Sequence, residues 1–115
     1  MAAARINAWL PVVLWAALIF ALSSIPNLGT GLGTWDLVLR KLAHAVEFGV
    51  LGALLFRALK REPLAILLGS AYAMTDEVHQ TLVSGRQGSP LDWLIDTIGV
   101  IAGVLLCSRW LASRA

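Results

Sequence analysis

Four apolar stretches, each long enough to cross a bilayer, follow one another along this chain with only short connections between them, and three carry His, Asp, Glu or Gln near one end. A hydrocarbon core about 30 Å thick is crossed by about 20 helical residues. Four such stretches in 115 residues leave no room for a separate soluble domain. Backbone amides find no water to bond in lipid, and an α-helix satisfies them within one short segment. The expectation is therefore a single domain over residues 1-115. It is all-α, an integral membrane bundle of four transmembrane helices at about 6–22, 39–59, 64–83 and 91–111.

Composition agrees with that reading. Hydrophobic residues make up 58% of the chain and charged residues 14%, with a mean hydropathy of +0.77, more apolar than the core of a soluble domain requires. The formal net charge of +2 arises from Lys and Arg at the ends of the apolar stretches. That distribution suits topology rather than a nucleic-acid patch, and no nucleic-acid role is assigned. Cys107 stands alone in an apolar run, so the chain has neither an internal disulfide nor a paired-cysteine metal site.

Orientation follows from the basic residues. Arg5, Arg57, Lys60, Arg61, Arg109 and Arg114 fall on the side of the termini, against Arg40, Lys41 and Arg86 on the other. Cytoplasmic loops collect Lys and Arg, so both termini are expected in the cytoplasm, with the chain in the inner (plasma) membrane of the cell. The glycine-rich segment Asn27 to Thr34 and the turn Ser84 to Pro90 then face outward.

The polar residues share one depth on these helices. Lys41, His44 and Glu47 fall in the first two turns of helix 2, Asp76, Glu77, His79 and Gln80 in the last two of helix 3, and Asp92 and Asp96 in the first two of helix 4. At about 1.5 Å rise per residue they lie within roughly 10 Å of the same interface. They also share faces: Gly69, Ser70, Ala73, Asp76, Glu77 and Gln80 fall on one side of helix 3, and Asp92, Asp96, Gly99 and Gly103 recur at spacings of three and four along helix 4. Small residues let membrane helices approach closely. The acidic faces are therefore predicted to be the packing faces.

Charge is unbalanced in this layer, where Glu47, Asp76, Glu77, Asp92 and Asp96 meet only Arg40, Lys41 and Arg86. Either some carboxyls carry protons, or a metal ion or cationic ligand supplies the balance. His44 and Glu47, one turn apart, form the candidate catalytic pair for handling a proton. Asp76 and Glu77 are further candidate catalytic groups, able to orient a substrate or ion. Lys41, Gln80, Asp92 and Asp96 are candidate binding residues. Arg86, flanked by Gly85 and Gly88, either clamps a phosphate or carboxylate through its planar guanidinium or anchors the interface as a partner of Asp92. The alternative for the whole set is a structural lock, in which polar groups pair across helices and fix the register of the bundle.

Other polar and aromatic residues carry plainer expectations. His79 lies off the centre of the helix 3 face and reads as a histidine near the headgroups. Trp9, Trp35, Trp93 and Trp110 read as an interfacial belt. His44-x-x-Glu47 reverses the Glu-x-x-His order of di-iron bundles, and no His-Glu-x-x-His occurs, so no metal is assigned and cofactors stay open.

In their order these residues resemble the VanZ-like family of small bacterial membrane proteins, named for a teicoplanin resistance determinant. Phe20 to Pro26 resembles the family's F-x-x-S-S-x-P, and Lys41-Leu42-Ala43-His44 through Glu47-Phe48 its K-x-x-H-x-x-E-[FY]. Asp76-Glu77-Val78-His79-Gln80 resembles D-E-x-x-Q, and Arg86 through Asp92 to Gly99 the closing R…D-x-x-x-N-x-x-G. Asp96 departs from that pattern, which more often has Asn there. The resemblance implies a four-helix integral membrane protein linked to the cell envelope or to glycopeptide resistance, and it carries no reaction with it. The combined expectation is an outward-facing polar pocket that binds or modifies a cell-envelope or lipid-linked component. Its partners would be membrane lipid and either a lipid-linked envelope precursor or a membrane protein. The rival is a non-catalytic membrane module that assists such a protein partner.

Overall fold

A computed structural model describes residues 2–24, 34–82 and 90–114. The glycine-rich segment at 25–33 and the turn at 83–89, with Arg86, lie outside the described residues, as do the side chains of Trp35 and Asp36. The chain forms α1 (Ala2–Ser23), α2 (Thr34–Leu59), α3 (Glu62–Thr81) and α4 (Pro90–Ser113), with no strand among the described residues. Within α1, α2 and α4, the stretches Arg5–Ser23, Val38–Leu59 and Pro90–Ser113 are long and apolar enough to cross a membrane. The molecule is an all-α membrane bundle. α3 is shorter, at 20 residues, and its second half is lowered in hydropathy by Thr75, Asp76, Glu77, His79 and Gln80. Of these, Asp76, Glu77 and Gln80 are buried between helices.

The helices outrun the apolar stretches that announce them. α2 begins at Thr34, ahead of the expected Leu39, and α4 continues to Ser113. Hydropathy marks where lipid tails begin, whereas a helix continues through the polar interface as long as its backbone bonds are made. Between α2 and α3 the turn is two residues long. Lys60 adopts a left-handed conformation (φ 61°), and its N–H bonds Phe56 O at 2.7 Å. This costs a non-glycine residue about 1–2 kcal/mol. Arg61 is extended, and Pro63 sits in the first turn of α3, where its missing N–H has no helical partner to lose.

α2 and α4 form the closest pair, and they run parallel. A Cβ at Gly99 would collide with the backbone of Ala45, and one at Gly103 with the backbone of Gly49. Each step of four along one helix is thus matched by a step of four along the other, a seam of small residues with backbone against backbone. α3 runs antiparallel to α4, with Ser70 Oγ 3.1 Å from Thr97 Oγ1 and Ser108 Oγ donating to Glu62 Oε1 at 2.8 Å. α1 leans on α2 and α3 through Trp15 Nε1, which donates to Glu47 O (2.8 Å), and through Ala16 O, which accepts from Tyr72 Oη (2.6 Å). Ile19, Phe48, Leu51, Ala73, Val100 and Val104 fill the centre. Leu10, Val13, Leu14, Leu67 and Leu106 point outward, which suits a surface solvated by lipid tails.

Candidate functional site

The register of the α2–α4 seam decides what happens at its polar end. Continuing the parallel steps past Ala45 and Gly99 brings His44 against Asp96, with Nδ1 3.3 Å from Oδ1. One turn further out, Lys41 Nζ forms an ion pair with Asp92 Oδ1. Each helix alone presents its polar groups outward. Only the backbone-to-backbone approach set by the glycines brings them face to face.

α3 closes the site from the third side. It contributes Asp76, Glu77 and Gln80, all buried. The Gln80 amide nitrogen lies 3.2 Å from His44 Nε2 and 3.4 Å from Asp76 Oδ2, so one NH2 group can donate to both. In that arrangement Nε2 of His44 accepts and Nδ1 carries the ring proton, directed at Asp96. Buried Ser23, the last residue of α1, reaches the Asp76 carboxyl as a hydrogen-bond partner. All four helices therefore touch one cluster.

Four of its groups meet closely: one ligand atom from each of His44, Asp76, Glu77 and Asp96 lies within 4.8 Å of all the others. Asp96 is fully buried (0% exposed) and Asp76 nearly so (4%). Asp76 Oδ1 and both carboxylate oxygens of Asp96 have no hydrogen-bond partner among the described residues. A buried polar group without a partner costs about 1–3 kcal/mol, and more when charged. The cluster is chemically incomplete, in contrast with the paired and half-exposed Lys41 and Asp92.

The sequence-derived candidates therefore separate. His44, Asp76, Glu77, Gln80 and Asp96 come together. Lys41 and Asp92 form the rim above them, so Asp92 takes Lys41 as a partner, while Arg86 lies outside the described residues. Glu47 stands one turn below His44, half-buried, and is not among the four groups that converge. The acid beside His44 is Asp96 of α4, because helix contact outranks spacing along α2. The cluster is also deeper than expected relative to the start of its helix: with α2 beginning at Thr34, His44 lies about 15 Å along the axis.

Two residues do more than the sequence led one to expect. Trp93 is half-buried, and its Nε1 donates to Ser70 O at 3.0 Å, pinning α4 to α3. His79 is more than a headgroup contact. Its ring stacks on Phe20 (4.3 Å between centroids, 19° between planes) and its Nε2 lies 2.9 Å from Ser24 Oγ, fastening α3 to α1. Ser23 belongs to the Phe20 to Pro26 motif but is not among the candidate site residues, since the apolar stretch ends at Leu22. The signal that points to it is the Ser-Ser pair, two hydroxyls at the mouth of an otherwise apolar helix.

Comparison with curated proteins and with solved structures finds no match. The family described as VanZ/LLP1 matches residues 5–112, nearly the whole chain, and spans all the elements that build the cluster: the chain belongs to the VanZ/LLP1 family.

Proposed function

We propose that the polar cluster is a headgroup site, at which this membrane protein binds or modifies a cell-envelope or lipid-linked component. The observation that supports this most is the meeting of His44, Asp76, Glu77, Gln80 and Asp96 from three helices around carboxylate oxygens that have no donor among the described residues. Ionisable residues inside membrane helices are costly and are usually retained for a function. A headgroup carrying amines or hydroxyls would supply donors to Asp76 Oδ1 and Asp96 Oδ2, which have none among the described residues. His44, between Gln80 and Asp96, would hold or pass a proton at Nδ1, with Glu47 one turn away and Lys41 at the rim for an anionic group. Helix ends place the cluster toward the α1 and α3 exits. The excess of Lys and Arg on the side of the termini favours a cytoplasmic location for both termini in the inner membrane, with the cluster facing outward.

The second reading, a polar lock that supports a partner protein, is favoured by one feature: the Gln80 amide bridges His44 and Asp76 within the protein itself. Conservative replacements separate the two. Under the headgroup reading, Glu47→Gln and Asp76→Asn leave a folded protein that no longer retains lipid from a membrane extract, read by native mass spectrometry. Retention equal to the unsubstituted protein sinks it in favour of the lock. Reporter fusions test the orientation, with cytoplasmic signals expected after Arg61 and at the C-terminus and exterior signals at Gly31 and Gly88. The reverse pattern overturns the outward-facing site.

A further inference from the structure

We propose that His44, Asp76, Glu77 and Asp96 form a binding site for one divalent transition-metal ion. The inference shares its location with the headgroup reading and rests on it for what the site does, but not for whether an ion binds.

Geometry comes first. Four ligand atoms from three helices lie within 4.8 Å of one another. Tetrahedral coordination at about 2.0–2.1 Å spaces ligand atoms about 3.3 Å apart, so small rotations of the side chains suffice to close the set. The second observation is independent of that convergence. Asp96 is fully buried with neither carboxylate oxygen hydrogen-bonded among the described residues, and Asp76 Oδ1 is in the same position. Both acids belong to the converging set. A cation placed among them meets Asp76 Oδ1 and Asp96 Oδ2, which have no donor among the described residues.

The donor set narrows the ion. Three carboxylates suit hard cations, while the imidazole shifts preference toward zinc, manganese or ferrous iron and away from calcium and magnesium. Three carboxylates and a divalent ion leave the cluster one negative charge. One retained proton or one donor on a bound headgroup cancels it.

Gln80 provides an outer contact. His44 Nδ1, the ring atom facing Asp96, is the nitrogen offered to the ion. Metal binding there moves the ring proton to Nε2, which then needs an acceptor. Gln80 meets that need by turning its amide over, exchanging oxygen for nitrogen at the His44 ring. Gln80 is thereby a positioning residue, and Gln80→Leu should weaken the ion without removing a ligand.

The experiment uses the full chain in detergent or nanodiscs after chelator treatment. Zn2+ and Mn2+ are added separately, with bound metal counted by elemental analysis and affinity measured by calorimetry. One ion per chain is expected, with a rise in the unfolding temperature. Asp96→Asn and His44→Gln should weaken binding at least tenfold, Gln80→Leu by about tenfold, and Lys41→Met by less than about twofold. Pulsed EPR of the Mn2+ form of the unsubstituted protein should show coupling to one imidazole nitrogen, a readout independent of how any variant folds. Absence of stoichiometric binding, or binding without that nitrogen coupling, overturns the proposal. An ion bound with no lipid retained keeps the metal site and removes the headgroup reading. Lipid retained by a protein that takes up neither metal does the reverse.

Discussion

The α2–α4 pair holds two contrasting regions along one contact line. In the apolar part, Gly99 and Gly103 bring backbone against the backbone of Ala45 and Gly49, with Val100 and Val104 fully buried beside them. At the polar end, the same register places His44 against Asp96, and carboxylate oxygens there have no donor among the described residues. One region has no room to spare, and the other has polar capacity to spare. Tight packing of small residues is how membrane helices associate when burial from lipid brings little hydrophobic gain. Unsatisfied buried acids serve no such purpose, which is why the seam reads as architecture and the cluster as a site for something else.

Substitutions that sharpen this contrast differ in size. The largest effect is expected in the seam: Gly103→Val drives its side chain into the Gly49 backbone, which cannot yield as a flexible side chain would. A loss of roughly 3 kcal/mol in the stability of the purified protein is expected, and tolerance of valine there would mean that α2 and α4 are not held backbone to backbone. In the cluster the effect should be smaller. Asp96→Leu removes a buried carboxylate whose Oδ1 faces the His44 ring at 3.3 Å and whose Oδ2 has no partner among the described residues, so the two contributions offset and stability should change by less than about 1 kcal/mol while ligand retention is lost. A loss above about 2 kcal/mol by the same unfolding measurement would make Asp96 part of a structural lock.

Smaller effects are expected at the margins of the two regions. Trp93→Phe keeps most of the packing but abandons the bond to Ser70 O, at a cost of about 1 kcal/mol. Denaturation of that variant checks whether α3 is pinned to α4 by this indole. Smallest of all is the rim pair. Lys41 and Asp92 are 29% and 23% exposed, so Lys41→Met should cost about 0.5 kcal/mol, a difference that fades as salt is raised. A large, salt-insensitive loss would move Lys41 from the rim into the buried cluster.

Much of the molecule was legible before any folding. Apolar stretches of spanning length dictated helices, since lipid offers backbone groups no other partner. Spacings of three and four put Asp76, Glu77 and Gln80 on one face with Gly69 and Ala73, and these positions are buried in α3. Ordered motifs were enough to suggest the family. Tertiary structure decided the partners. Nothing along α2 says that His44 meets Asp96 and Gln80, or that Lys41 takes Asp92. Nor does hydropathy tell the indole of Trp93, bonded to a backbone oxygen, from one at an interface. The reason is physical: periodicity fixes the face on which a side chain lies, but its neighbour is set by the axial register between helices. Here that register comes from how closely Gly99 and Gly103 let two backbones approach.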